Sequence, residues 1–402
     1  MTDVTRYDSY RTSSTELLPD PPAHWSDQPI WTLFTRAARK GHGDETLLSV
    51  YRDHGVVPKA SRSDNFNRAS EDLSTYQLVS PGDLVVNKMK AWQGSVSISA
   101  HRGIVSPAYF VYEAHHEHDS RYLHHLLRSA PLIAAYRTIS SGVRIGQWDL
   151  DPWAFSRIRL PMPPLPEQEQ IADYLDRETA QIDRLIAKQE QLVTRLHERR
   201  ESQIAATLQE HAWLERRIKD VASVVNGYPF DAATFMDAGG TPLVRIRDIV
   251  STEYATFVPQ EAVPSEAIIC DGDIVIGMDG DFNSVLWSRG PAALNQRLCL
   301  LRTGTDALAS YLAYAVLRPL KLINDLTYST TVKHLSSKQV ANIRIPLPPL
   351  DEQRRIVAHL DEQTAKIDTL IAKAQRFIEL AKERRAALIT AAVTGQLDVT
   401  AA

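Results

Sequence analysis

The chain has 402 residues, 44% of them hydrophobic and 23% charged, and carries a formal net charge of −4. That length exceeds one ordinary hydrophobic core, so two or more domains are expected, and the composition is that of a folded chain rather than a disordered one. The acidic balance excludes a uniformly basic nucleic-acid binder, so any positive footprint has to be created locally by folding.

Cys270 and Cys299 are the only cysteines, too few for a disulfide framework and without metal-site spacing. No run of about 18 apolar residues occurs, and Met1–Asp20 is polar and lacks the apolar core of a secretory signal. The expected location is the cytoplasm.

In chain order, the first globular region (1–157) opens near Trp25. Pro81-Gly-Asp makes a turn into a strand at Leu84–Val86, a second strand is expected at Ala108–Tyr112, and a helix at Ser120–Arg128. A segment at 158–208 follows. Its Pro161–Pro166 stretch has to run extended, because proline fits neither a helix interior nor a central ladder. Pro166-Glu-Gln then suits a helix start. A second globular region (209–342) opens near Trp213, with a turn at Asp271-Gly-Asp and a helix at Asp306–Leu317. The chain ends in a second Pro-rich and helical segment, 343–402.

The two helical segments are copies. Ile158-Arg-Leu-Pro-Met-Pro-Pro-Leu-Pro-Glu-Gln recurs as Ile343-Arg-Ile-Pro-Leu-Pro-Pro-Leu-Asp-Glu-Gln, and Glu198-Arg-Arg falls on Glu383-Arg-Arg. The period is about 185 residues, far longer than a solenoid repeat. Weaker echoes pair Ser141-Gly-Val-Arg-Ile with Thr330-Thr-Val-Lys-His, so the globular parts have diverged while the helices have not. The fold expected is mixed α/β: two globular domains joined by two long antiparallel coiled-coil helices with approximate two-fold symmetry. Leu175, Ile182, Leu185, Leu192 and Leu196, with Leu360, Ile367, Leu370, Phe377 and Leu388, mark the expected coiled-coil seam. A helix from Thr179 to Leu208 spans about 45 Å at 1.5 Å per residue, a ruler for two separated half-sites on DNA.

The sequence carries no recognisable catalytic pattern. Gly239-Gly-Thr-Pro lacks the helix that a dinucleotide site needs, and no Walker pattern occurs. The acids of Asp271-Gly-Asp and Asp279-Gly-Asp read as turn chemistry rather than a Mg²⁺ cluster. His115-His-Glu-His and His124-His read as a polar loop running into a surface helix, since neighbouring histidines seldom converge on one ion. Base and phosphate readout calls for Arg, Lys, Asn, Gln or hydroxyl groups on a groove-entering edge. The candidates are Lys88, Lys90, Gln93, Arg144 and Gln147 in the first half. In the second half they are Arg245, Arg247, Asn295, Arg297, Lys333 and His334. Arg144 and Lys333 hold matching positions in the two halves.

Pro164–Ile171 and Pro349–Ile356, with the trailing Ile-Asp-x-Leu-Ile-Ala-Lys and Glu-Arg-Arg runs, resemble the paired repeats of type I restriction-modification specificity subunits. The resemblance implies two target recognition domains, each reading one half of a bipartite double-stranded DNA target. It also implies helical regions that dock two modification (methyltransferase) subunits and, with them, restriction (translocase and nuclease) subunits. S-adenosylmethionine, ATP and Mg²⁺ would belong to those partners; this chain would bind no cofactor, hold no metal and catalyse nothing. The competing readings are a coiled-coil protein-interaction scaffold without DNA binding and, more weakly, a standalone DNA enzyme. The bases read, the spacer length, the contacting residues and the presence of a restriction subunit are left open by the sequence.

Overall fold

In the computed structural model, which describes residues 6–52, 54–61, 70, 72–142, 148–251, 253–327 and 333–400, the chain divides into two compact units. The first takes Met1–Gln189 together with Arg376–Ala402, and the second takes Glu190–Gln375. Each unit therefore contains a globular domain and half of each long helix. The linear division into four consecutive segments does not capture this exchange, because a helix end can be adjacent in space to a domain far away in sequence.

The globular part of the first unit is organised around a four-stranded antiparallel sheet. Its strands are β1 (Phe34–Ala37), β2 (Leu84–Asn87), β3 (Val96–Ile98) and β4 (Tyr109–Ala114), in the spatial order β1-β4-β2-β3. Leu84 of β2 pairs with Tyr112 of β4 on one side and Ile98 of β3 on the other. Helices Ser120–Leu127 and Ala130–Thr138 follow, and a four-residue antiparallel pairing of Ser26–Pro29 with Arg159–Met162 closes the domain. Pro161 and Pro163 need no amide donor at this edge, which is where a Pro-rich stretch can sit. The first long helix, α1 (Leu165–Gln209), starts directly after it.

The second unit repeats the plan. Its sheet has strands β5 (Ala222–Asn226), β6 (Ile274–Gly277), β7 (Ser284–Leu286) and β8 (Leu298–Thr303), again in the order first-fourth-second-third. Ile274 pairs with Leu301 and Leu286 as Leu84 pairs with Tyr112 and Ile98. Glu215–Arg217 pairs with Arg344–Pro346, and the second long helix, α2 (Leu350–Val393), follows. The expected helix Asp306–Leu317 is two helices, Ala309–Ala315 and Leu317–Leu326.

Both long helices begin in a domain core. Ile171 and Leu175 of α1 lie in the first unit's core, where Ile389, Ala392 and Val393 from the end of α2 also pack. Ile356 and Leu360 of α2 lie in the second unit's core, with Ile204 and Leu208 from the end of α1. The leucines Leu175 and Leu360, expected in the seam, are thus domain anchors. Side-chain hydrogen bonds repeat as well. Buried Gln168 donates to Pro163 O at 2.7 Å and accepts from the Asp119 amide at 3.1 Å. Buried Gln353 donates to Pro348 O at 2.8 Å and accepts from the Leu308 amide at 2.8 Å. Tyr122 and Tyr311 donate to Pro161 O and Pro346 O at 2.8 and 2.7 Å.

The seam itself needs a shift of register. Within the first unit Ile182, Ile186 and Ala381 are buried together, and within the second Leu196, Ile367 and Ile371. Leu185, Leu192, Leu370 and Phe377 are exposed instead, and Leu388 is only partly buried. The sequence offers doublets here: Leu185-Ile186, Leu192-Val193, Leu370-Ile371 and Phe377-Ile378. In each, the compact β-branched residue turns toward the neighbouring helix and the longer side chain turns outward. Ala374 and Ala381 are buried, small side chains permit close helix packing, and a stiff β-branched side chain packs there with little rotamer loss.

Candidate nucleic-acid interface

In the second unit, two strands set up the candidate surface. Thr241–Val244 and Ala292–Leu294 pair in parallel, Leu243 with Ala293 and Val244 with Leu294, so the chain leaves both at the same end. The departing residues are Arg245 and Asn295, joined by Asn295 N donating to Val244 O at 3.2 Å. Gly227 lies against the Asn295 carbonyl so closely that a Cβ would sit 1.9 Å from its oxygen. Only glycine fits that approach.

The candidate residues then separate into two kinds. Arg245 is turned inward, donating to Asp248 Oδ2 at 3.3 Å and Thr256 Oγ1 at 2.6 Å. Lys333 is equally occupied, its Nζ donating to Asn324 O and Oδ1 at 2.8 Å each. Both are framework residues. Arg247 and Arg297, with side chains 67% and 60% exposed, face outward. Arg297 lies 3.1 Å from Asp279 Oδ2, and His334 Nδ1 lies 2.7 Å from Asp279 Oδ1. Asp279 therefore joins two sequence-distant candidates. It stands in the turn between β6 and β7, where the sequence alone suggests turn chemistry; a carboxylate two residues beyond a strand end is the one local signal of this role.

In the first unit the β2–β3 connection carries Lys88, Lys90 and Gln93. Lys88 donates to Pro107 O, and its Nζ lies 4.9 Å from the Phe110 ring centroid. Lys90 and Gln93 are exposed around the short turn Ala91–Gln93. Trp92, between them, lies 5.2 Å from Trp148. Ser140–Ser141 pairs with Asp149–Leu150, and Leu150 N donates to Lys88 O at 3.0 Å, tying that ladder to the β2 end. Arg144 and Gln147 lie outside the described residues.

The acids of the two Gly-Asp turns are structural. Asp273 accepts from the Cys270 amide at 2.8 Å and pairs with Arg302 at 2.6 Å. Asp83 accepts from the Ser80 amide at 2.7 Å and pairs with Arg39. His24, His115, His116 and His118 line one pocket with Pro163 and Pro164, where the His116 ring packs against Phe34. His118 lies between Gln28 Oε1 at 3.2 Å and Gln168 Nε2 at 3.0 Å. Burial pushes His116 down to about 4 and His124 down to about 3, so both are neutral at pH 7. Among the described residues, no group of three or more His, Cys, Asp or Glu is disposed to hold a metal ion.

A cleft of about 830 Å³ in the second unit is a poor phosphate groove. Arg200, Arg318 and Lys321 on its wall are offset by four acids, and Lys321 is bonded to one of them, Glu201. Among the described residues, no helix is long and apolar enough to cross a membrane.

Comparison with known proteins agrees with the internal duplication. A family model described as the type I restriction modification DNA specificity domain matches residues 42–195 and again 210–379. The type I restriction enzyme EcoBI specificity subunit of Escherichia coli is 37% identical over 188 residues, 46% of this chain and 40% of that protein. The MjaVIII specificity subunit of Methanocaldococcus jannaschii is 22% identical over 366 residues, 81% of this chain and 83% of that protein. The matched region thus spans about two fifths of the first of these relatives. A solved chain from work on complex assembly and conformational transition of the type I R-M system superposes with a TM-score of 0.71. It covers 94% of this chain and 99% of that one at 17% identity, which speaks to the fold.

Proposed function

The chain belongs to the type I restriction modification DNA specificity family, its two halves each matching the family model, and from that membership we propose that it reads a bipartite double-stranded DNA target. Each globular domain reads one half, and the target's unread spacer is set by the long helices. The observation that carries this reading is the duplicated unit: one sheet order, one Pro-rich edge and one buried glutamine lock, built twice from one chain. Duplex DNA offers equivalent grooves at two separated sites to a reader so built. Direct contacts fall to the exposed cations and amides: Lys90 and Gln93 in the first unit, Arg247, Arg297 and His334 in the second. Arg144 and Gln147 remain candidates on sequence grounds.

The chain supplies specificity and assembly rather than chemistry, in the cytoplasm, with S-adenosylmethionine, ATP and Mg²⁺ handled by modification and restriction subunits. Exposed apolar side chains support docking on the helices. The first unit presents Leu185 and Phe377, and the second presents their repeat equivalents Leu370 and Leu192. One such pair per unit fits two modification subunits. Apolar side chains displayed on a polar helix face mark an interaction surface.

The test is biochemical. The purified chain neither methylates nor cleaves DNA, and addition of the modification subunit yields sequence-specific adenine methylation whose DNA affinity falls steeply with salt, as phosphate contacts demand. Methylation by the chain alone, or a complex with no salt-dependent DNA affinity, contradicts the proposal; the second outcome would favour a protein-interaction scaffold.

A further inference from the structure

The turn between β6 and β7 is fixed from three directions. Leu335 N donates to Met278 O at 2.7 Å, Met278 N to Arg297 O at 3.0 Å, and Gly280 N to Lys333 O at 3.2 Å. Asn324 from helix Leu317–Leu326 donates to Gly280 O and holds the Lys333 ammonium. Phe282, at φ +52° with its ring buried in the core, anchors the far side of the turn. Three sequence-distant segments thus fix one loop, and the side chain it carries at its centre is Asp279, with Arg297 beside one oxygen and His334 beside the other.

The geometry of that triad is directional. Arg297 approaches Asp279 through Nη1 at 3.1 Å, and its side chain is 60% exposed, so the planar guanidinium keeps donors that this ion pair does not use. His334 reaches Asp279 through Nδ1, which leaves Nε2 on the far side of the ring. An exposed arginine ordinarily loses side-chain entropy when it binds, and a carboxylate that already holds it removes part of that cost. A guanidinium that meets its carboxylate through one nitrogen keeps a fork of donors that matches the O6 and N7 acceptors guanine presents in the major groove. A phosphate carries a full negative charge, which the carboxylate of Asp279 beside it repels more strongly than it repels a neutral base edge.

We propose that Arg297, positioned by Asp279 and flanked by His334, reads a guanine in the half-site of the second unit. This inference rests on the proposed DNA-recognition function. The first unit carries Met89, exposed, at the corresponding second position beyond its strand β2. The carboxylate that positions Arg297 therefore has no counterpart at this turn of the first unit. Asp279 is a positioning residue in this assignment, and Arg297 is the base contact.

The experiment uses the full chain assembled with its modification subunits and a library of DNA duplexes with randomised bases, selected for binding and sequenced. The wild-type complex selects two separated runs, and one of them contains a strongly preferred guanine. Arg297→Ala, 60% exposed and so compatible with an intact fold, reduces the preference at that one position by about 10- to 100-fold and leaves the other positions unchanged. Arg297→Lys keeps the charge and does not restore it, because lysine lacks the fork. Asp279→Asn weakens the same preference in the wild-type background and has no further effect on it beside Arg297→Ala, which a purely structural role would not produce. Uniform weakening of all sequences by Arg297→Ala assigns the residue to phosphate and overturns the proposal, as does an unchanged preference. If the wild-type complex selects no sequence at all, the DNA-recognition reading fails with it; selection that Arg297→Ala leaves intact defeats only the guanine assignment.

Discussion

Arg200 donates to Asp368 at 3.1 Å within the second unit, and Arg385 lies 2.9 Å from Asp183 within the first. These four residues are repeat equivalents, displaced by about 185 positions, so one ion pair is made twice with the helices exchanging roles. All four side chains are at least 31% exposed, and such pairs contribute about 0–1 kcal/mol each. Their weight is in register: they come into line only when α1 and α2 run antiparallel at one offset. Reversing Arg200 alone to Glu places like charges together and lowers stability by less than about 1 kcal/mol. Reversing Asp368 to Arg as well restores it. Urea unfolding of the single and double variants gives the coupling energy, and a coupling of zero removes the register role.

The buried glutamines carry more energy. Gln168→Ala leaves the Asp119 amide and the Pro163 carbonyl without their partner, and Gln353→Ala does the same to the Leu308 amide and the Pro348 carbonyl. Orphaned buried groups cost about 1–3 kcal/mol each. Each variant should lower the unfolding free energy of its own unit by a few kcal/mol, visible in denaturant curves. A loss below ~0.5 kcal/mol in both would show that the Pro-rich strands are held by other means.

The first unit is expected to lose stability in acid. His116 and His124 belong to the first unit, and burial holds both below the ordinary histidine value of 6.5, at about 4 and about 3. The unfolded chain therefore takes up protons near pH 6.5 that the folded unit refuses. Linkage makes stability fall as pH drops below about 6.5, and the fall continues down to the folded values. The loss is on the order of 1–2 kcal/mol per histidine between pH 6.5 and 5. Thermal melts across that range, repeated for His124→Gln, should show a shallower acid dependence in the variant. An identical slope for both proteins would contradict the assignment.

The exposed doublet partners can be tested without disturbing the fold. Leu185 and Phe377 are 48% and 42% exposed, so Leu185→Glu and Phe377→Glu should change stability by less than about 0.5 kcal/mol. They should nevertheless weaken capture of one modification subunit, with Leu370→Glu and Leu192→Glu removing the other. Native mass measurements of the assembled complex read this directly. Retention of both partner subunits in the quadruple variant would exclude the helices' outer face as the dock.

Much of this architecture was legible in the sequence, because the duplicated Pro-rich helix leaves a long exact-register echo and Pro161–Pro166 can adopt few conformations. The seam was legible only to within one residue. Leu185-Ile186 and its three companion doublets satisfy two neighbouring registers equally, and the choice depends on how closely Ala374 and Ala381 let the backbones approach. The exchange of helix ends between units was hidden, since Val393 meeting Tyr122 (a hydrogen bond at 3.3 Å) spans most of the chain. Among the recognition candidates, nothing local separates Lys333 from His334. The difference lies in Asn324, a residue nine positions away whose carbonyl and side chain occupy the lysine.

Lengthening both long helices by seven residues at positions that face each other keeps the paired seam and adds about 10 Å of helix, some three base pairs of spacer. Lengthening one helix alone displaces Arg200 from Asp368 and should cost stability rather than shift the target.

The most direct measurement is a map of methylated adenines in host DNA with this gene intact, deleted, and carrying the paired seven-residue insertions. The account predicts one bipartite motif of two short runs with a fixed unread gap, lost on deletion and widened by about three base pairs on insertion. A motif that survives deletion, or one whose spacing ignores the inserted helix, contradicts it.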